Sequence, residues 1–115
     1  MAEPQILLLD LKDDPELIER YKAWHRPGGV PAEVLASIRE AGITGMDIYL
    51  RSDRLVMILS VDETYSPERK AAADAQNPAV QAWEALMSEL QKPIPGTPPG
   101  QKWVPAARIF SLGEH

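Results

Sequence analysis

Hydrophobic and polar residues alternate along the chain in segments typical of strands and helices. The apolar run at residues 5–11 predicts a first strand. The runs at 43–50 and 55–61 lie on either side of the short polar segment 51–54 and predict a β-hairpin. Alternation is imperfect in the second of these runs, which is typical of a central strand covered on both faces.

Helix signals occur between and after these strands. Asp13 or Asp14 can cap a helix that begins near Pro15, a favoured first helical residue, and ends at His25 before a Pro-Gly-Gly segment. Further helices are predicted at 32–41, from a Ser66 cap through the alanine run at 71–73, and at 79–90.

The C-terminal part of the chain is less regular. Residues 93–99 contain four prolines and predict an extended surface loop. Apolar residues at 103–104 and 109–112 suggest a last strand that is interrupted near Pro105. A proline at that point favours an edge strand or a bulge.

The predicted order of elements is β-α-β-β-α-β, which defines an α+β, ferredoxin-like fold with an antiparallel sheet and helices on one face. Residues 1–115 are predicted to form a single domain of ordinary size. The uncovered face of so small a sheet would expose apolar side chains. A second copy of the chain could bury it, so we expect a twofold homodimer.

Charge and composition argue against several classes of protein function. The net charge is −5 with no cluster of Lys or Arg, so the chain lacks the basic patch typical of nucleic-acid and anionic-membrane binding. No apolar run approaches the roughly 20 residues of a membrane span. The N-terminus does not resemble a secretory signal, and there is no cysteine. We therefore expect a cytoplasmic protein.

Candidate chemistry centres on the predicted first helix. Tyr21 and His25 are four residues apart and share one face of it. The carbonyl groups of a helix end favour a protonated imidazole at His25. The other histidine, His115, is the last residue, so a histidine-rich metal site within one chain is excluded. A phenol beside an imidazole could transfer protons, although on spacing alone a surface histidine beside a core tyrosine is the more ordinary interpretation.

Motifs along nearly the whole chain resemble the L-rhamnose mutarotase family, small dimeric α/β-barrel proteins that include L-fucose mutarotases. The matching features are Tyr21 with His25, Pro31 with Glu33, Gly42 before residues 48–50, residues 77–87, residues 100–103 and residues 108–110. Residues 83–87 and Lys102-Trp103 are more similar to the fucose-type branch.

The resemblance implies interconversion of the α and β anomers of a 6-deoxy-L-sugar, L-fucose or L-rhamnose, without a metal or cofactor. It places the catalytic acid–base group on His25 and a substrate-contacting tyrosine on Tyr21. The family's Trp-Trp pair falls on Trp83 and Glu84, and a further substrate-contacting tyrosine falls on Met46, so only the first tryptophan is kept. The family's Trp-Pro-Glu segment after the histidine is also replaced, by residues 27–33.

Two other functions remain open on the sequence. Small ferredoxin-like dimers include monooxygenases, some of which bind haem, and His25 could then be an axial ligand. A non-catalytic sugar-binding module would also agree with the replaced aromatic positions.

Overall fold

The protein is described by a computed structural model that covers residues 3–115. Its strands are β1 (Gln5–Leu11), β2 (Ile43–Arg51), β3 (Arg54–Val61), β4 (Gln91–Lys92) and β5 (Val104–Pro105). Its helices are α1 (Pro15–Trp24), α2 (Ala32–Glu40), α3 (Pro67–Ala75) and α4 (Pro78–Ser88), with a final 3₁₀ turn at Leu112–Glu114.

Side-chain caps start three of the helices, two of them at caps that the sequence predicts. Asp14 accepts hydrogen bonds from the backbone N–H groups of Glu16 and Leu17 at the start of α1. Ser66 caps α3 and Asn77 caps α4 in the same way, each followed by a proline at the first helical position. Free N–H groups at a helix start need such acceptors, so these short motifs fix the helix boundaries.

The sheet has the spatial order β2-β3-β1-β4, with β5 also paired to β1, and every pairing is antiparallel. The first and third strands therefore lie in its centre, as in a ferredoxin-like fold. The predicted hairpin is present as β2 and β3. The predicted α+β fold class is confirmed.

The predicted last strand is only partly correct. Val104 and Pro105 pair with Leu8 and Leu7 of β1, but residues 109–112 do not form a strand. Ile109 is 96% exposed, so the apolar character of this segment does not reflect burial within one chain. The fourth strand of the fold is instead the two-residue β4, directly after α4, which is too short for any periodicity to predict.

The two faces of the sheet differ. Leu9, Leu11 and Leu55 are fully buried beneath the helices, and Tyr21 and Met87 pack in one cluster with Leu11 and Leu55. Side chains on the opposite face include those of Ile6, Leu8, Val56 and Ile58, which are only half-buried. Within residues 3–115, no helix is long and apolar enough to cross a membrane, and the cytoplasmic location stays a prediction.

Candidate active site

Tyr21 and His25 form a stacked pair at the C-terminal end of α1. Their ring centroids are 4.1 Å apart and the ring planes are inclined by 28°. Tyr21 is buried in the core against Leu11 and Leu55, whereas His25 is half-buried at the helix end. The predicted four-residue spacing therefore brings the phenol and the imidazole together.

A backbone hydrogen bond fixes the orientation of the imidazole. The Nδ1 atom of His25 lies 2.6 Å from the carbonyl oxygen of Tyr21. A carbonyl oxygen only accepts, so Nδ1 carries the hydrogen and donates it. In the neutral ring the other nitrogen, Nε2, is then left as a proton acceptor.

The protonation of His25 differs from the sequence prediction. Burial lowers the pKa of His25 below its usual value of 6.5, and the hydrogen bond to the Tyr21 carbonyl raises it by less. The prediction that the helix end favours a protonated imidazole was therefore wrong in its net direction, because burial outweighs the favourable carbonyl contact. The neutral ring is the dominant form near pH 7.

Tyr21 is held as a neutral phenol. Burial raises the pKa of Tyr21 to about 12, against a smaller lowering by a hydrogen bond from the side chain of Gln91. The phenol is therefore a hydrogen-bond donor and acceptor rather than a phenolate at neutral pH.

Trp83 of α4 completes an aromatic cluster around the imidazole. Its ring centroid is 5.5 Å from that of His25, with an interplanar angle of 63°. It also meets Trp24 of α1 edge-on, with centroids 6.0 Å apart and an interplanar angle of 84°. Trp24 is 39% exposed and Trp83 is half-buried, so this cluster reaches the protein surface.

The other two predicted site residues lie apart from the His25 contacts. Met46 of β2 packs against a second part of the core formed by Ile43, Met57 and Leu59. Ile48 and Trp103 contact both this part and the cluster that contains Tyr21.

Glu84 is exposed and lines a groove of about 320 Å³ that also involves Lys70 and Asp74 of α3. His25, Tyr21 and Trp83 do not line this groove. The roles of Met46 and Glu84 in binding stay predictions.

Gln91 of β4 belongs to the same region and was missed by sequence reasoning. It is only 8% exposed, and its side chain lowers the pKa of the Tyr21 phenol by less than burial raises it. A single glutamine after an apolar helix face carries no recognisable signal, because its position depends on the two-residue strand β4.

Comparison with known proteins shows which family the chain belongs to. The sequence profile of the family described as L-rhamnose mutarotase matches residues 5–112. The chain belongs to the L-rhamnose mutarotase family.

Two relatives and one solved structure are similar to this chain. The L-fucose mutarotase of Xanthomonas campestris pv. campestris is 53% identical over 107 residues, which cover 93% of this chain and 86% of the relative. A UPF0734 protein of Dictyostelium discoideum is 31% identical over 108 residues, covering 90% of this chain and 85% of that protein.

The crystal structure of an L-rhamnose mutarotase from Formosa agariphila superposes with a TM-score of 0.67 at 17% identity, covering 96% of this chain and 99% of that one. This likeness supports the fold. The family match and the first relative identify the chain as an isomerase of the sugar mutarotase type.

Proposed function

We propose that this mutarotase interconverts the α and β anomers of L-fucose, with L-rhamnose as the alternative 6-deoxy sugar, and that His25 is its acid–base group. The observation that carries the proposal is the imidazole of His25, oriented by the Tyr21 carbonyl and flanked by Tyr21 and Trp83. L-fucose is preferred because the relative that is 53% identical is an L-fucose mutarotase.

Ring opening begins with neutral His25. Its Nε2 takes the proton of the anomeric hydroxyl, and the O–H electron pair forms the C1=O1 double bond of the aldehyde. The bond between C1 and the ring oxygen breaks, and its electron pair stays on the ring oxygen. That oxygen receives a proton from the Tyr21 phenol or from water, which is left as phenolate or hydroxide beside the imidazolium, so the net charge is unchanged.

Closure reverses these steps on the other face of the aldehyde. Rotation about the C1–C2 bond presents the opposite face of C1 to the oxygen that closes the ring. That oxygen returns its proton as it attacks, and His25 returns its own proton to O1. Positioned acid–base groups of this kind accelerate reactions by roughly 10²–10⁴-fold, and a neutral imidazole can take up a proton on ring opening and return it on closure.

Aromatic side chains supply the sugar-binding surface in this proposal. Trp83 and Trp24 meet edge-on beside His25 and reach the protein surface, where an indole face can pack against the C–H groups and the methyl group of a 6-deoxy sugar. Met46 and Glu84 are proposed as further contacts, on the strength of the family resemblance at those positions alone.

The proposed test measures anomer exchange by saturation-transfer proton NMR. Irradiation of one anomeric signal of L-fucose should deplete the other faster with the wild-type protein than with buffer, and His25→Ala should remove the acceleration. L-rhamnose and D-glucose serve as the comparison sugars. Exchange rates equal to buffer for every sugar would contradict the mutarotase activity, and an active His25→Ala variant would contradict the role of the imidazole.

We also propose that the chain works as a homodimer joined through the open face of the sheet. The half-buried side chains of Ile6, Leu8, Val56 and Ile58 lie together there, and Tyr49 beside them is 53% exposed. A contiguous apolar surface of this kind is typical of an interface between subunits.

Light scattering after size exclusion tests the dimer. The wild-type protein should have twice the 12.7 kDa mass of one chain, and Ile58→Glu should reduce it to one chain mass. Ala72→Glu, on the exposed surface of α3, is the matched control and should keep the dimer. A wild-type mass of one chain would remove the proposal.

A further inference from the structure

Two glycines follow the helix that carries His25, and they differ in what their missing side chains allow. Gly28 has a φ of +86°, and apart from its chain neighbours no heavy atom of residues 3–115 lies within 4 Å of the place where its Cβ would be. Gly29 lies outside the left-handed region, so any residue could adopt its backbone conformation. A Cβ at Gly29 would, however, lie 2.4 Å from the carbonyl oxygen of Trp24 and 2.9 Å from its carbonyl carbon. Gly29 is therefore required for space, and Gly28 for its backbone conformation.

A tight turn brings Gly29 back against the end of α1. The N–H group of Gly29 donates to the carbonyl oxygen of Arg26 at 2.8 Å. Pro27 and Gly28 are then the central residues, and a proline followed by a glycine with positive φ is the pattern of a type II β-turn. The chain therefore reverses directly after the helix, and Gly29 contacts the last helical turn.

The atoms that Gly29 contacts belong to the peptide group that joins Trp24 to His25. The nitrogen of that peptide group is the backbone nitrogen of His25, and it donates to the carbonyl oxygen of Lys22 at 3.2 Å. In a regular helix it would donate to the carbonyl four residues back, but the Nδ1 atom of His25 lies 2.6 Å from that Tyr21 oxygen instead. The position of this peptide group therefore determines whether the imidazole can reach the Tyr21 carbonyl.

A methyl group at position 29 would displace this peptide group. Ordinary van der Waals contact begins near 3.4 Å, so the two groups would have to separate by about 1 Å. The obstructing atoms are main-chain atoms at a helix end, which cannot turn aside as a flexible side chain can. A shift of that size misplaces a catalytic group. It would also break the hydrogen bond that keeps the ring hydrogen of His25 on Nδ1.

Stability alone does not account for a second glycine at this turn. A type II turn requires glycine only at its third residue, which is Gly28. Glycine loses more conformational freedom on folding than alanine, so at Gly29, where any residue fits the backbone, it makes the fold less stable. The close approach to the helix end is what requires it.

We propose that Gly29 is a positioning residue of the mutarotase site: without a side chain, it lets the turn close on the peptide group before His25 and so holds the imidazole against the Tyr21 carbonyl. The Nε2 atom of His25 then stays free of hydrogen and keeps one direction. This inference rests on the proposed function, because Nε2 is the atom proposed to take the proton of the anomeric hydroxyl.

One added methyl group at each glycine separates positioning from stability. Gly29→Ala should lower kcat for L-fucose by about tenfold or more and change KM by less, because the misplaced group is the base while Trp83 lies on another helix. Gly28→Ala is the matched control, since it adds the same group in open space. It should keep kcat within about twofold of wild type, while its positive φ lowers the unfolding temperature by roughly 5 °C. Equal losses of kcat in the two variants, or wild-type kcat in Gly29→Ala, would overturn the proposal.

Nitrogen-15 NMR of the His25 ring tests the positioning without relying on catalysis. When the ring is neutral, Nδ1 should carry the hydrogen in the wild type and in Gly28→Ala, and Nε2 should carry none. Gly29→Ala should show both tautomers in exchange, because the carbonyl contact that selects one of them is lost. His115→Ala identifies the signals of the other histidine. A single Nδ1–H tautomer in Gly29→Ala would contradict the proposal.

Pro27→Ala tests the same contact if Gly29→Ala does not fold. Pro27 is exposed, and alanine lacks the fixed φ of proline, so this variant loosens the turn without adding an atom at the helix end. It should lower kcat by about two- to threefold and admit the second tautomer. An unchanged rate and an unchanged ring spectrum would contradict the hold on His25.

The same measurements distinguish this inference from the proposed function. An active wild type together with an equally active Gly29→Ala variant would reject the inference alone. A wild type that accelerates exchange with no sugar would reject the proposed function, whereas the tautomer of His25 would still show whether Gly29 positions the ring.

Discussion

Trp83 and Glu84 are neighbours in α4 but face different surroundings. Trp83 lies against His25 and Trp24, in an aromatic cluster with a neutral imidazole. Glu84 is exposed in the groove beside Lys70 and Asp74, whose side chains form an ion pair at 2.6 Å. Successive helical residues point about 100° apart, so one helix serves an apolar, partly buried surface and a charged, solvated one.

The two sides of α4 differ in whether their surroundings favour acid–base chemistry. On the aromatic side, burial lowers the pKa of His25 and keeps its Nε2 available as a base. On the charged side, Lys70 and Asp74 already satisfy one another, and the main-chain carbonyl of Glu84 accepts a hydrogen bond from Ser88. The aromatic side is therefore the better site for proton transfer to an uncharged sugar.

The largest effect should come from removing the base on the aromatic side. His25→Ala should lower kcat for L-fucose by roughly 10²–10⁴-fold, the usual contribution of a positioned acid–base group. Saturation-transfer NMR measures the rate. His115→Ala, at the exposed chain end, should leave the rate unchanged. A His25→Ala rate within twofold of wild type would mean that another residue is the acid–base group.

Acid should reproduce that loss reversibly. In the proposed mechanism the base is the neutral imidazole, whose pKa lies below 6.5, so kcat/KM should be flat near pH 7 and should fall about tenfold per unit below the lowered pKa. The free energy of unfolding should be highest above pH 6.5. It should decrease as the pH falls through the folded-state pKa of His25, because the unfolded chain binds the proton more readily. A rate that rises on acidification would contradict the neutral base.

Truncation of a tryptophan in the aromatic cluster should have an intermediate effect. Trp83→Ala removes the indole that faces both His25 and Trp24, and we expect a loss of about tenfold or more in kcat/KM, mostly through KM. Stacking contacts with an aromatic side chain are worth about 0.5–1.5 kcal/mol beyond the area they bury. Thermal unfolding must be measured alongside, because Trp83 also packs against the core, and Trp83→Phe should retain most of the activity.

The smallest effect is expected on the charged side of α4. Glu84→Gln keeps the shape of the side chain and removes its charge, and the Kd for L-fucose should change by less than about threefold, since exposed polar contacts contribute little. Isothermal titration with the sugar measures the change. A large loss of binding would extend the sugar site across α4 into the groove.

Local sequence signals specified much of this protein. Ser66 marks a helix start because its side chain accepts a hydrogen bond from a free backbone N–H group, and Pro15 marks one because its φ is already helical. The apolar runs of β1 to β3 define the sheet, and the four-residue spacing of Tyr21 and His25 brings their rings together within one helix. Each of these depends on residues close in sequence.

Only the tertiary structure decided the rest. Trp83 reaches His25 because α1 and α4 contribute side chains to the same part of the core, and Gln91 lies beside Leu11 because a two-residue strand pairs with the end of β1. The direction of the His25 pKa shift was wrong in the sequence prediction because it depends on how much water the whole fold removes. Burial and long-range contacts are sums over distant segments, whereas caps, turns and helical spacing are written into a few adjacent residues.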